Sequence, residues 1–142
     1  MPLGHRVSKD VAGPYEADRA LAGEYRDRLA AARDAERALR AAQAENRDEN
    51  RDPAELRSLS AAFDRALVAA IEAAEASERI AMGPKVYATD AQDAKARRAA
   101  EIARRKAKAR PAVRPWTAEV DRLRTAREAH KLSFRTRPAV AV

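Results

Sequence analysis

Seven prolines divide this 142-residue chain, and their placement restricts its fold more than any other feature. They stand at positions 2, 14, 53, 84, 111, 115 and 138. A proline in a helix interior loses a hydrogen bond and clashes with the preceding turn, at a cost of about 3 kcal/mol; the first helical position accepts it. On that reading all seven mark the edges of helices, and the stretches between them are helical. Composition points the same way. Hydrophobic residues make up 46% of the chain, but Ala alone supplies 37, whereas Leu, Ile, Val and Phe together number 22. With only four glycines besides, β-sandwiches and doubly wound α/β folds are excluded, because both need Val/Ile-rich strands and Gly-rich turns. The expected class is all-α: a long antiparallel helical hairpin, then a basic helix, a short C-terminal helix and extended tails.

The expected organisation has four parts. Residues 1–13 form an extended N-terminal arm, and residues 14–84 an antiparallel hairpin. Residues 85–114 hold a linker and basic helix, and residues 115–142 a short helix and extended tail. In the first hairpin helix, about 14–46, Leu21, Tyr25, Leu29 and Leu39 recur with alanines at spacings of three and four, one face of a helix. Glu24/Arg28 and Glu36/Arg40 support its outer face as i,i+4 pairs with the acid first. The second helix has the clearest boundaries: Asp52 as N-cap, Pro53 at the first position, Glu55 at the third, and Gly83-Pro84 as the stop. Leu56, Leu59, Phe63, Leu67 and Ile71 form its stripe. Two helices alone do not cover both stripes. Coiled-coil-like self-association, or packing in a larger assembly, is therefore expected.

The third helix is expected to start at Thr89 or Asp90 and end near Pro111. Ile102 is its one large apolar residue, leaving it almost nothing to bury. Its charge is the strongest functional signal in the chain. Residues 1–84 carry 13 Lys/Arg and 16 Asp/Glu, a net of −3; residues 85–142 carry 16 and 6, a net of +10. Lys95, Arg97, Arg98, Arg104, Arg105, Lys106, Lys108, Arg110 and Arg114 cluster with one acid, Glu101. Cations spread around a helix neutralise phosphates at many registers, and Asn and Gln are absent from the cluster, so binding to nucleic acid without sequence preference is expected.

Residues 114–123, Arg-Pro-Trp-Thr-Ala-Glu-Val-Asp-Arg-Leu, resemble the opening of Myb-like helix-turn-helix repeats, with a Trp-Thr-x-Glu start followed by an acid and Leu. No second and third helix follow, so the resemblance implies no base-reading helix. The expected fourth helix, about Pro115–Leu132, presents Trp116, Val120, Leu123, Arg127 and His130 as a thin stripe.

Chemistry is not indicated. Absence of Cys excludes thiolate chemistry and disulfides. The chain has no Gly-rich phosphate loop, His-Glu-x-x-His or nucleophile elbow. Ser58, Ser60 and Ser77 are expected in mid-helix without a base nearby. Glu72, Glu75 and Glu78 read as a solvated acidic face. His5 and His130 are isolated from it, so no metal or other cofactor is expected. The longest apolar run, Ala66–Ile71, is far too short to span a bilayer, and residues 1–6 lack the apolar stretch of a secretory signal. The sequence thus points to a non-enzymatic structural or assembly protein, cytoplasmic or virion-associated, of phage or mobile-element type, with no small-molecule substrate. Two other readings are a small nucleoid-associated or regulatory DNA-binding protein and an adaptor docking an acidic protein surface.

Overall fold

The computed structural model describes residues 9–45, 52–87 and 93–136. They form α1 (Lys9–Gly23), α2 (Tyr25–Glu45), α3 (Pro53–Met82), a 3₁₀ turn (Pro84–Val86), α4 (Ala94–Lys108) and α5 (Arg114–Thr136). The fold is all-α, with no strand among the described residues.

α3 has the ends expected of it. The Asp52 side chain accepts a hydrogen bond from Ala54 N at 2.9 Å, and the Asp52 carbonyl receives Glu55 N at 3.0 Å. At the other end Gly83 has φ 95° and ψ 173°. That is not the left-handed helical cap but the extended mirror region that only glycine occupies without strain. Gly83 N still donates to the carbonyls of Arg79 and Ile80, and Pro84 opens the 3₁₀ turn.

The first expected helix is two. α1 begins at Lys9, inside the expected N-terminal arm, and Pro14 lies within it. Gly13 removes one of the clashes a helical proline makes, that of its ring with the preceding Cβ, and the hydrogen bond that Pro14 lacks lies near the start of α1. The helical path then breaks at Glu24, whose N–H bonds to the Leu21 carbonyl at 3.0 Å. Glu36/Arg40 pairs as expected at 3.5 Å. Arg28, beyond the break, reaches the Ala69 carbonyl at 2.9 Å and Glu72 at 3.4 Å. α4 starts later than expected because Asp93 caps it, accepting from Lys95 N and Ala96 N. α5 continues to Thr136, so residues 133–136 are helical rather than extended. Residues 1–8 and 137–142 of the expected tails, and the polar turn at 46–51, lie outside the described residues.

Contacts divide the chain into two compact units, each made of two separated stretches: Tyr25–Glu72 with Asp121–Val142, and Met1–Glu24 with Ala73–Val120. In the first, α2 packs on α3, with Arg28 against Ala69 and Glu72. α5 pairs with α3 in opposite senses: Arg127 binds Asp64 at 2.9 Å, and His130 meets Ser60. Tyr25, Leu39, Phe63, Leu67, Ile71 and Leu123 are buried here. Leu29, Leu56 and Leu59 are half-buried. Leu29, Phe63 and Leu67 border one cleft with Leu123 of α5, so the chain's own α5 supplies cover that the two-helix reading assigned to a partner.

The side chains that the second unit buries are smaller. Met82, Val86, Ala107 and Val113 form its core cluster, with Ala81, Tyr87 and Ala103 against it. Ala73, Ala74 and Ala76 of α3 have no exposed surface at all, and Leu21 of α1 is half-buried.

Candidate nucleic-acid interface

α4 is built from two faces of different chemistry. Ala96, Ala100, Ala103 and Ala107 recur at spacings of four, three and four, the period of one helical face. Ala100 and Ala107 are buried, and Ala103 packs on the Met82/Val86/Val113 cluster. α4 therefore does bury a face. It is invisible to a search for large apolar residues, because alanine lets the helix approach its neighbours closely. Ile102, the large residue, points outward and is 46% exposed.

The rest of the circumference is basic. Lys95, Arg97, Arg98, Arg105, Lys106 and Lys108 are all exposed on it, with Glu101 the one acid among them. Two further expected contacts have structural partners. Arg104 donates to the Val86 carbonyl at 3.0 Å, and Arg110 to the Met82 carbonyl at 3.2 Å. Both satisfy backbone acceptors at the ends of short or terminating elements, which have no helical partner of their own. Arg114, exposed, opens α5.

Three polar constellations escaped the reading of local patterns. Asp18, only 7% exposed, accepts two hydrogen bonds from Arg79, at 2.7 and 3.0 Å, and a third from the Tyr87 hydroxyl. Burial drives its carboxyl up, but the Arg79 and Tyr87 hydrogen bonds and the Arg79 charge outweigh this and hold it below its usual range. Burial, and then the hydrogen bond to Asp18, push the Tyr87 phenol above its ordinary value. Tyr15 meets Tyr87 edge-on at 5.9 Å. A signal did exist: Asp18 lies seven residues before Tyr25, where the apolar stripe of the first helix extends backward.

The second constellation corrects the expected isolation of His130 and Ser60. His130 Nε2 lies 3.0 Å from Ser60 Oγ and 3.1 Å from the Ser60 carbonyl, with the ring between Phe63 and Phe134 at 4.8 and 4.9 Å. A carbonyl only accepts, so the contact at 3.1 Å makes Nε2 a donor, and the same nitrogen is not a base for the serine. The third is Asp64–Arg127, where the Arg127 hydrogen bond holds the Asp64 carboxyl below its usual range. Ser77, by contrast, bonds back to the Ala73 carbonyl. The acidic row is only partly solvated: Glu72 is exposed, while Glu75 and Glu78 are half-buried and Glu78 accepts from Thr117. No group of acids and histidines able to hold a metal occurs among the described residues. None of their helices is long and apolar enough to cross a membrane.

No family model, curated protein or solved structure matches the chain.

Proposed function

We propose that this chain is a non-enzymatic structural or assembly protein that holds the phosphate backbone of nucleic acid on α4 without reading sequence. One observation carries the proposal: a helix anchored through an alanine face turns six lysine and arginine side chains outward. Such an arc offers cations to a polyanion at no cost to the fold. The side chains are long, their ammonium and forked guanidinium tips are suited to phosphates, and phosphate contacts position a protein without selecting a sequence. The proposal extends to self-association or packing among other copies, and to a setting in the cytoplasm or in the virion of a phage or mobile element.

A salt titration tests it. Only part of a helix faces a backbone at once, so four or five neutralised phosphates give a log–log slope of roughly −3.5 to −4.5 on duplex DNA. The variant with Gln at Arg97, Arg98, Arg105 and Lys106 leaves the Arg104 and Arg110 backbone contacts in place. It is expected to flatten the slope and weaken all duplex sequences alike. Binding that is undetectable at about 50 mM salt, or unchanged in the variant, overturns the reading.

A further inference from the structure

Ile102 is the one large apolar side chain on the exposed surface of α4. Its helix packs through the opposite alanine face, and an isoleucine held 46% exposed leaves apolar surface in water. Its neighbours on the helix surface give it a setting. Arg98 stands one turn before it and Arg105 and Lys106 one turn after, while Lys95 lies two turns before on the same side. Glu101, the residue before Ile102, is a helix-surface neighbour of Arg98 and Arg105, three residues after the one and four before the other. An uncharged, branched tip is thus set among four cations and a single acid, a surplus of positive charge around it.

We infer that Ile102 is a wedge that enters the minor groove of a duplex and kinks it, a reading that rests on the proposed polyanion-binding role of α4. Arg98 and Arg105 are about 10 Å apart along the helix axis, enough to straddle a minor groove about 6 Å wide and reach the phosphates on either rim. Ile102 then meets the base edges between them. It has no hydrogen-bonding group, so it has nothing to read there, but an apolar side chain pushed between base steps unstacks them and bends the duplex away. Branching at Cβ holds the side chain near one χ1 rotamer, so little side-chain freedom is lost on insertion. The bend is easiest at flexible pyrimidine–purine steps, which gives the complex a mild preference for sites containing TA or CA. Sequence preference then enters through deformability although α4 carries no base-reading amide side chain.

Energy transfer between dyes at the two ends of a short duplex with a central TA step measures the bend directly, using the full chain. The wild-type protein is expected to shorten the end-to-end distance, with a kink of about 20–90°. Ile102→Ala, at an exposed position, is expected to keep its helical circular-dichroism signal and its salt slope. It loses the bend, and its affinity falls about threefold to tenfold, the value of half-burying an isoleucine. Ile102→Leu keeps the bend. Wild-type binding without bending, or an Ile102→Ala variant that bends as well as wild type, overturns the wedge and leaves the phosphate-binding role standing. No duplex binding at all, including the case where Ile102 instead supports attachment to phosphatidylserine vesicles, overturns both.

Discussion

The two compact units solve one problem in opposite ways. Both must build an interior from a chain in which alanine outnumbers all large aliphatic and phenyl side chains together. The unit of Tyr25–Glu72 and Asp121–Val142 gathers Leu39, Phe63, Leu67, Ile71 and Leu123 into its interior. The unit of Met1–Glu24 and Ala73–Val120 buries alanines, two valines of its core cluster and a methionine, and ties α1 to α3 through the buried Asp18. One is held mainly by side-chain volume, the other by close approach and a satisfied polar network. Counting charge by unit changes the electrostatic picture as well. The apparent split of −3 and +10 along the chain becomes net +4 for the unit containing α4 (14 Lys/Arg, 10 Asp/Glu) and +3 for the other (15 and 12). The basic signal belongs to one helix rather than to half the protein.

Truncation in the volume-packed unit is expected to have the largest effect. Phe63, 5% exposed, replaced by Ala should cost about 3–5 kcal/mol in urea unfolding. A loss below 1 kcal/mol would mean that large side chains do not hold that unit. The polar network comes next. Asp18→Asn removes the charge that Arg79 and Tyr87 address, at about 2–3 kcal/mol, moderated because Arg79 remains about a third exposed. Its pH signature sharpens the comparison. A carboxyl depressed below 3.8 in the fold contributes stability that is complete above that value and is lost as pH falls through the lower folded value. The acid limb of the stability–pH profile should therefore shrink in the variant. An identical limb would assign acid sensitivity to other groups, Asp64 first among them. The smallest effect tests close approach itself: Ala107→Leu, at a site with no exposed surface, should cost about 1–3 kcal/mol by overpacking. Ala99→Leu, on the exposed side of the same helix, should be close to neutral. Equal effects would remove the distinction between the two units.

What could be read from the sequence was what is encoded locally. Asp52-Pro53 and Gly83-Pro84 mark α3 because caps act within one turn, and the Phe63 and Leu67 stripe follows from helical periodicity. The exposed basic arc was legible because charge is avoided in unpaired interiors. Pairings such as Asp18 with Arg79, 61 residues apart, or Ser60 with His130, 70 apart, leave no local mark. The alanine face of α4 was hidden for a different reason: alanine favours a helix whether exposed or packed, as Ala99 and buried Ala100 show side by side, so its period alone does not distinguish the two. Pro14 misled because it lies little more than one turn into α1 and follows a glycine, so the helix loses one hydrogen bond near its start rather than breaking there.

The interleaving of the two units bears on the order in which the protein is made. The unit that starts at Tyr25 has its α2 and α3 residues in place once Glu72 is synthesised, yet Leu123, Arg127 and His130 come some fifty residues later. At about 5–20 residues per second, a nascent chain carries Phe63 and Leu67 without their α5 cover for several seconds. During that window the leucine stripe is open to any neighbour, including the same segment on another ribosome of the same message. Translation speed across residues 73–120 thus decides how long the chain stays adhesive before it closes on itself.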